Sequence, residues 1–410
     1  MAKAHLIAGL DIGINTVRLL VVQKKPAESD LEVLDQEEEP ASGVRKGVVV
    51  NFEQAARAIS SCVRKSEEKL GARINDVYVS VNGSHVFTTS SHGLVSVSRA
   101  DRKISQEDIN RVIQNAQAFP LSANKEVLEV FPREYIIDGE KGIKEPLGME
   151  GVRLEADILA LGGFLPYLKN LTQAVLAADL QVNDRILSPL ASGRAVLTNK
   201  EKELGVAVLD IGAGTTGLAV FEEGSLIHLA IFPLGANHIT HDIAIGLMTE
   251  IETAEKIKIE YGSCVSRKTD KGKRGRIEKI GGEHLFAPVS FSRKTLINII
   301  EARVCEIFEQ TNRELKKIGR TATLPAGVML TGGGAKMARI VELAKRELKL
   351  PVRLGKPEGF FPEIEDPAMA TVCGLVLTGA EIEGESEGNA LSFLHDTGEW
   401  LKRLFRFFIP

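Results

Sequence analysis

The sequence predicts an α/β protein of more than one domain, two of them built around the same local motif. Three observations carry this. An acidic turn flanked by apolar runs occurs twice; a glycine-rich turn follows the second copy; and strand-like and helix-like periodicities alternate along 410 residues, enough chain for two or three cores. In the first copy, the run ending Ala8-Gly9-Leu10-Asp11-Ile12-Gly13 passes through Ile14-Asn15-Thr16 into a second run, Val17 to Val22. In the second copy, Val206-Ala207-Val208-Leu209-Asp210-Ile211-Gly212 passes through Ala213-Gly214-Thr215-Thr216 into Leu218 to Phe221. Each reads as a buried strand, a tight Asp-x-Gly turn and another buried strand.

After the first hairpin the spacing predicts a helix from about Phe52 to Leu70. Asn51 is its N-cap, Ala55, Ala58, Ile59, Cys62 and Val63 form the apolar stripe, and Gly71 stops it. Val77 to Val81 is the next strand. From Ser84 to Phe164 the texture changes to a compact α+β insertion, with strands at Gly93–Val97, Val127–Val130, Glu134–Ile137 and Leu154–Leu161. Within it, Ser105, Glu107 and Asp108 open a helix carrying Ile109, Val112, Ile113 and Ala116. Leu165 to Leu180 reads as helix, and Arg185 to Leu187 leads into Ser188-Pro189-Leu190-Ala191 and a helix to Leu197.

Beyond the second hairpin, a segment from about His238 to Val304 carries a polar loop with Arg267, Lys268, Lys271, Lys273, Arg274 and Arg276. No aromatics interleave these cations, so a solvated tip is expected. A helix from Lys294 to Lys317 precedes the strand Gly327 to Leu330, the turn Thr331-Gly332-Gly333-Gly334-Ala335 and a helix to about Leu348. Residues 367–380 form a last helix. Glycines and acidic residues from Glu381 to Gly398 then predict a mobile linker.

Composition excludes several classes. Apolar content of 44% and charged content of 26% are ordinary for a globular chain. A net charge of −4 speaks against nucleic acid as the main partner. The cysteines, Cys62, Cys264, Cys305 and Cys373, lie far apart without metal-ligand spacing, as in a reduced cytosolic protein. The N-terminus, interrupted by Asp11, lacks a secretory pattern, and no apolar run is long enough to span a bilayer.

The chemistry lies in the turns. An acidic residue facing a bend rich in backbone N–H groups and hydroxyls suits a phosphate with its metal ion, and two such hairpins would grip one polyphosphate from opposite sides. A Gly-Gly-Gly turn alone is also simply a flexible connection. Between a buried strand and a helix it lets a nucleotide approach the backbone.

With these three elements in this order, the chain resembles the actin-like ATPase superfamily. The resemblance implies a two-lobed actin-like (ribonuclease-H-like) α/β fold with ATP and Mg2+ held in the cleft between the lobes. It assigns Asp11, Gly13, Asn15 and Thr16 to the first phosphate loop, and Asp210, Gly212, Ala213, Gly214, Thr215 and Thr216 to the second. Asp11 and Asp210 would hold Mg2+ through water. Gly332, Gly333 and Gly334 would lie on the adenosine side, and Glu255 and Lys258, three residues apart on one helix face, beside the ribose and adenine. Without the resemblance, that last pair would read as a surface salt bridge.

More narrowly, the chain is similar to the FtsA family of bacterial division proteins. The insertion falls where that family carries its extra subdomain, and Gly142-Ile143-Lys144-Glu145-Pro146-Leu147-Gly148-Met149 with Gly151-Val152-Arg153-Leu154-Glu155-Ala156 reads like it. Pro189-Leu190-Ala191-Ser192, Ala195-Val196-Leu197 and Gly281-Gly282 add to the likeness, which runs from about Leu6 to Gly379. The implied domains are residues 1–83, 165–203 and 366–381 for the first lobe and 84–164 for the inserted subdomain. The second lobe takes 204–238 and 304–365 as core and 239–303 as outer part. A linker, 382–398, and an amphipathic helix, 399–410, complete the chain.

The departures from the family pattern concern catalysis. Ser188 stands where a glutamate usually orients the attacking water, and a hydroxyl is a poor base near neutral pH. Gly217 replaces an aspartate, Ala213 a glycine and Arg194 a frequent glutamate, and the first loop lacks a common lysine. ATP binding with at most slow hydrolysis is expected, the catalytic candidates being Asp11, Asp210 and, weakly, Ser188.

On a helical wheel Trp400, Leu401, Leu404, Phe405, Phe407, Phe408 and Ile409 fill one arc, and Lys402, Arg403 and Arg406 the other. That is the pattern of a helix lying in an anionic membrane interface; a helix docked on the protein's own core is the plainer alternative. The resemblance implies the FtsZ C-terminal tail, further copies of the chain and downstream division proteins as partners. It places the protein at the cytoplasmic face of the cell membrane at the division septum, with the FtsZ contact between about Ile239 and Arg303. A pilus-type membrane adaptor and a sugar-kinase-like phosphotransferase are the competing readings.

Overall fold

The computed structural model describes residues 6–25, 30–266, 277–280 and 289–388. Each acidic turn closes an antiparallel hairpin, and each hairpin sits inside a sheet. Leu6–Ile12 pairs with Thr16–Gln23, setting Asp11 opposite Arg18. Val206–Ile211 pairs with Thr216–Glu222, setting Asp210 opposite Gly217. On its other side each acidic strand takes a parallel neighbour, Asp76–Val81 in the first lobe and Gly327–Thr331 in the second. The duplication seen in sequence is thus a duplication of topology.

The first sheet has six strands in the order Gln181–Leu187, Asp76–Val81, Leu6–Ile12, Thr16–Gln23, Leu31–Pro40 and Phe360–Phe361. The second has five: Ser225–Phe232, Thr216–Glu222, Val206–Ile211, Gly327–Thr331 and Val352–Leu354. Alternation along Val206–Ile211 sends Val206 and Val208 into the core shared with the first lobe and Ala207, Leu209 and Ile211 into the second lobe's own core. A strand buried on both faces reads as the continuous apolar run seen in the sequence. The fold is the two-lobed α/β architecture expected.

The helix at Phe52–Leu70 has the expected ends. Asn51 accepts from Gln54 N, and Gly71 adopts φ 63°. The inserted body is a four-stranded sheet covered by the helix Gln106–Gln117, with its own core around Val112, Ile113, Leu154 and Ile158. Ser105 and Asp108 form a reciprocal capping box at its start. Two strands expected at Val127–Val130 and Glu134–Ile137 are one, Lys125–Ile137. The register slips beside Pro132, whose missing N–H is absorbed by a bulge and not by a break.

Three further boundaries differ from expectation. The helix from Leu165 ends at Leu176, because Asp179 turns into the left-handed region at φ 60° and Gln181 begins an edge strand. The glycine turn leads first into a 3-10 segment, Gly333–Lys336, and the helix begins only at Ile340, after Arg339 at φ 63°. The last helix, Ala370–Gly388, runs into the span expected as linker. An ion pair from Arg194 to Glu381 ties it to the helix Ser188–Val196. Among the described residues, no helix is long and apolar enough to cross a membrane. The basic loop and the helix expected at 399–410 lie outside the described residues.

Candidate functional site

The two turns are built alike. Gly13 N donates to Thr16 O at 3.0 Å and Gly212 N to Thr215 O at 2.9 Å, so each bend is closed by one short backbone bond. Between them lies a cleft of about 590 Å³, within the range of small-molecule sites. Asp11, Gly13, Asn15 and Thr16 line it from the first lobe. Asp210, Gly212, Ala213, Thr215, Glu255, Lys258, Gly332, Gly333 and Gly334 line it from the second.

Each aspartate is held by hydroxyl donors from a neighbouring element. Asp11 Oδ1 accepts from Ser80 Oγ at 2.6 Å. Asp210 Oδ2 accepts from Ser192 Oγ at 2.6 Å and Thr371 Oγ1 at 2.9 Å. Burial pushes both carboxyls above their usual range. Arg18 and Ser80 pull Asp11 back, while Ser192 and Thr371 do so for Asp210, which Asp11 itself pushes up. Two fixed carboxylates in one cleft suit a hydrated divalent ion. Among the described residues no cluster of three or more His, Cys, Asp or Glu could hold a metal unaided.

The glycine turn packs directly on this pair. Gly332, at φ 82°, lies so close that a Cβ there would overlap Asp210 Oδ1, whereas one at Gly333 would meet nothing. Glu255 and Lys258 belong to the helix Ile251–Tyr261 and reach the cleft wall. Lys258 Nζ donates to Glu255 Oε2 at 2.6 Å and to Thr240 Oγ1 at 2.8 Å, and Thr240 in turn donates to Glu255. The pair is thus a hydrogen-bonded cluster on the cleft wall, with Lys258 buried and Glu255 half-exposed.

Three expected residues are absent from the cleft lining. Gly214 instead meets Ile14 across the lobes, and Thr216 Oγ1 donates to Leu234 O at 2.8 Å. Ser188 is buried with its Oγ donating to Val81 O at 3.1 Å, so its hydroxyl is committed to the backbone. Gly217 has a steric reason: a side chain there would overlap Pro189.

Sequence reasoning missed several groups. Ser80 and Thr371 come from distant elements and carry no motif, and the run Pro189-Leu190-Ala191-Ser192 carries a family likeness but no sign that Ser192 meets Asp210. Asn82 accepts from Thr215 Oγ1 at 3.2 Å, and Asn237 is bonded to Asn15; both contacts join the lobes. Arg18 also lines the cleft, and its place opposite Asp11 follows from counting residues around the turn.

Comparison with known proteins agrees with this layout. The family model described as cell division protein FtsA matches residues 207–374, and that described as the SHS2 domain inserted in FtsA matches residues 83–161. The cell division protein FtsA of Pseudomonas aeruginosa is 37% identical over 393 residues, covering 95% of this chain and 92% of its own length. Among solved structures, the PilM-PilN type IV pilus biogenesis complex superposes with a TM-score of 0.65 at 17% identity, covering 91% of this chain and 98% of its own. MreB5 of Spiroplasma citri bound to ADP gives 0.56 at 14%, covering 94% and 99%. At those identities the two structures show the fold alone.

Proposed function

The chain belongs to the FtsA family of cell division proteins, and on that premise we propose that it is an ATP-binding adaptor tying the FtsZ filament to the cytoplasmic membrane. It acts in cell division. In this reading it grips the FtsZ C-terminal tail with the outer part of the second lobe, residues 239–303. The inserted body, 84–164, contacts neighbouring copies and later division proteins, and residues 399–410 lie in the anionic inner leaflet at the septum.

The observation that carries the nucleotide part is that Asp11 and Asp210, from duplicated turns, face one cleft between two lobes. The glycines Gly13, Gly212 and Gly332 to Gly334 would cradle the phosphates and adenosine side, with Asp11 and Asp210 holding hydrated Mg2+. When bound, the nucleotide supplies charge and contacts to both lobes and so favours one relative orientation. Ser188, tied to Val81 and outside the cleft lining, supports a ligand role over brisk hydrolysis.

One tail helix would bind membrane weakly, and an array of copies far more tightly, so polymerisation and attachment reinforce each other. Liposome co-sedimentation of the full chain against one ending at Gly398, each with and without ATP, tests the reading. Expected are tail-dependent pelleting and capture of the FtsZ tail peptide by both chains. Pelleting that ignores the tail, or failure to capture the peptide, sinks it.

A further inference from the structure

The two acidic turns are duplicates, yet the residue opposite each carboxylate differs. Hairpin register sets Arg18 across from Asp11 and Gly217 across from Asp210, and directly opposed residues of an antiparallel pair stand side by side. Position 217 has no room for a side chain beside Pro189. Among the described residues, one guanidinium therefore serves a cleft floor with two half-buried carboxylates.

Among the described residues, the other cations lining the cleft are engaged elsewhere: Lys258 with Glu255 and Thr240, Lys336 with Asp366 at 2.7 Å. Arg18 donates from Nε to Glu38 at 2.6 Å and holds Nη1 4.0 Å from Asp11 Oδ2, beyond hydrogen-bond range. Glu38 fixes the side chain while leaving the cleft end of a planar, five-donor group for another acceptor. The charge bears on both acids: burial raises Asp11 and Asp210, and Arg18 lowers each in turn.

We propose that Arg18 is a resident counter-charge for the polyphosphate, so that this chain binds nucleotide with little dependence on a divalent metal. The inference rests on reading the cleft as a nucleotide site. A triphosphate beside two ionised carboxylates is repelled unless a cation intervenes, and a guanidinium already fixed there meets phosphate oxygens through paired N–H groups.

Calorimetric titration of the full chain with ATP, in Mg2+ and in EDTA, tests this on the wild type, Arg18→Gln and Glu38→Gln. Chelation is expected to weaken wild-type binding less than about fivefold and Arg18→Gln binding about 50-fold, the worth of one charge-assisted bond. Equal metal dependence in the two overturns the proposal. Glu38→Gln, which keeps an acceptor for Arg18 Nε while removing the carboxylate that competes for its charge, is expected to raise metal-free affinity, and this arm decides the matter if Arg18→Gln fails to fold; an unchanged or lower affinity counts against it. No binding by the wild type even in Mg2+ removes the nucleotide reading itself.

Discussion

Asn15 and Asn237 exchange two side-chain amide hydrogen bonds, 2.9 and 2.8 Å long, from one lobe to the other. Asn15 lies in the first acidic turn. Asn237 lies in the first turn of the helix Ala236–Leu247, and its backbone N–H donates to Ala213 O at 2.6 Å in the second acidic turn. The pair thus links both turns through a single reciprocal contact. A double-mutant cycle with Asn15→Ala and Asn237→Ala in urea unfolding is expected to return a coupling of about 1 kcal/mol, modest because the amides are exposed. Strict additivity would mean the clasp carries no energy.

The glycine turn offers a sharper contrast. Gly332→Ala forces a Cβ onto Asp210 Oδ1 at a positive φ, whereas Gly333→Ala enters open space. The first is expected to cost about 2–3 kcal/mol and the second under about 1 kcal/mol. Thermal unfolding of the two variants side by side is sufficient, and similar losses would contradict the geometry.

Asp210→Asn keeps an acceptor for Ser192 and Thr371 but removes a half-buried charge. The ligand-free variant is expected to melt no lower than wild type. On the proposed reading, ATP with Mg2+ stabilises the wild type increasingly with ligand concentration, and in the variant this stabilisation is expected to vanish. Differential scanning fluorimetry across a nucleotide series reads both.

How much of this was legible beforehand depends on how local each feature is. Asn51 and Gly71 bracket their helix within a single segment, and the paired turns announce themselves by repetition. The groups that hold the aspartates do not. Ser192 and Thr371 reach the same carboxylate oxygen from helices far apart in the chain, and nothing along either helix signals that meeting. Boundaries failed where one residue took a left-handed conformation, as at Asp179 and Arg339, because a non-glycine φ of that kind leaves no mark in hydrophobic spacing.

Acidity should also act on the cleft. Asp11 and Asp210 have folded-state pKa values raised above the ordinary 3.8, chiefly by burial. Between the unfolded and folded values the folded chain binds more protons. Their contribution is therefore fully present below the unfolded pKa and is lost as pH rises through the folded one. The melting temperature of wild type minus that of Asp11→Asn/Asp210→Asn is expected to fall as pH climbs from about 4 towards neutrality. A flat difference would mean the two acids ionise as freely folded as unfolded.

The helix Ala370–Gly388 begins beside Thr371, which touches Asp210, and is clamped further along where Glu381 meets Arg194. A rod fastened at both points transmits load with little slack. In the proposed membrane-bound state, tension reaching this helix would be delivered to the floor of the cleft, and a ligand that stiffens that floor would stiffen the hold on the membrane in return.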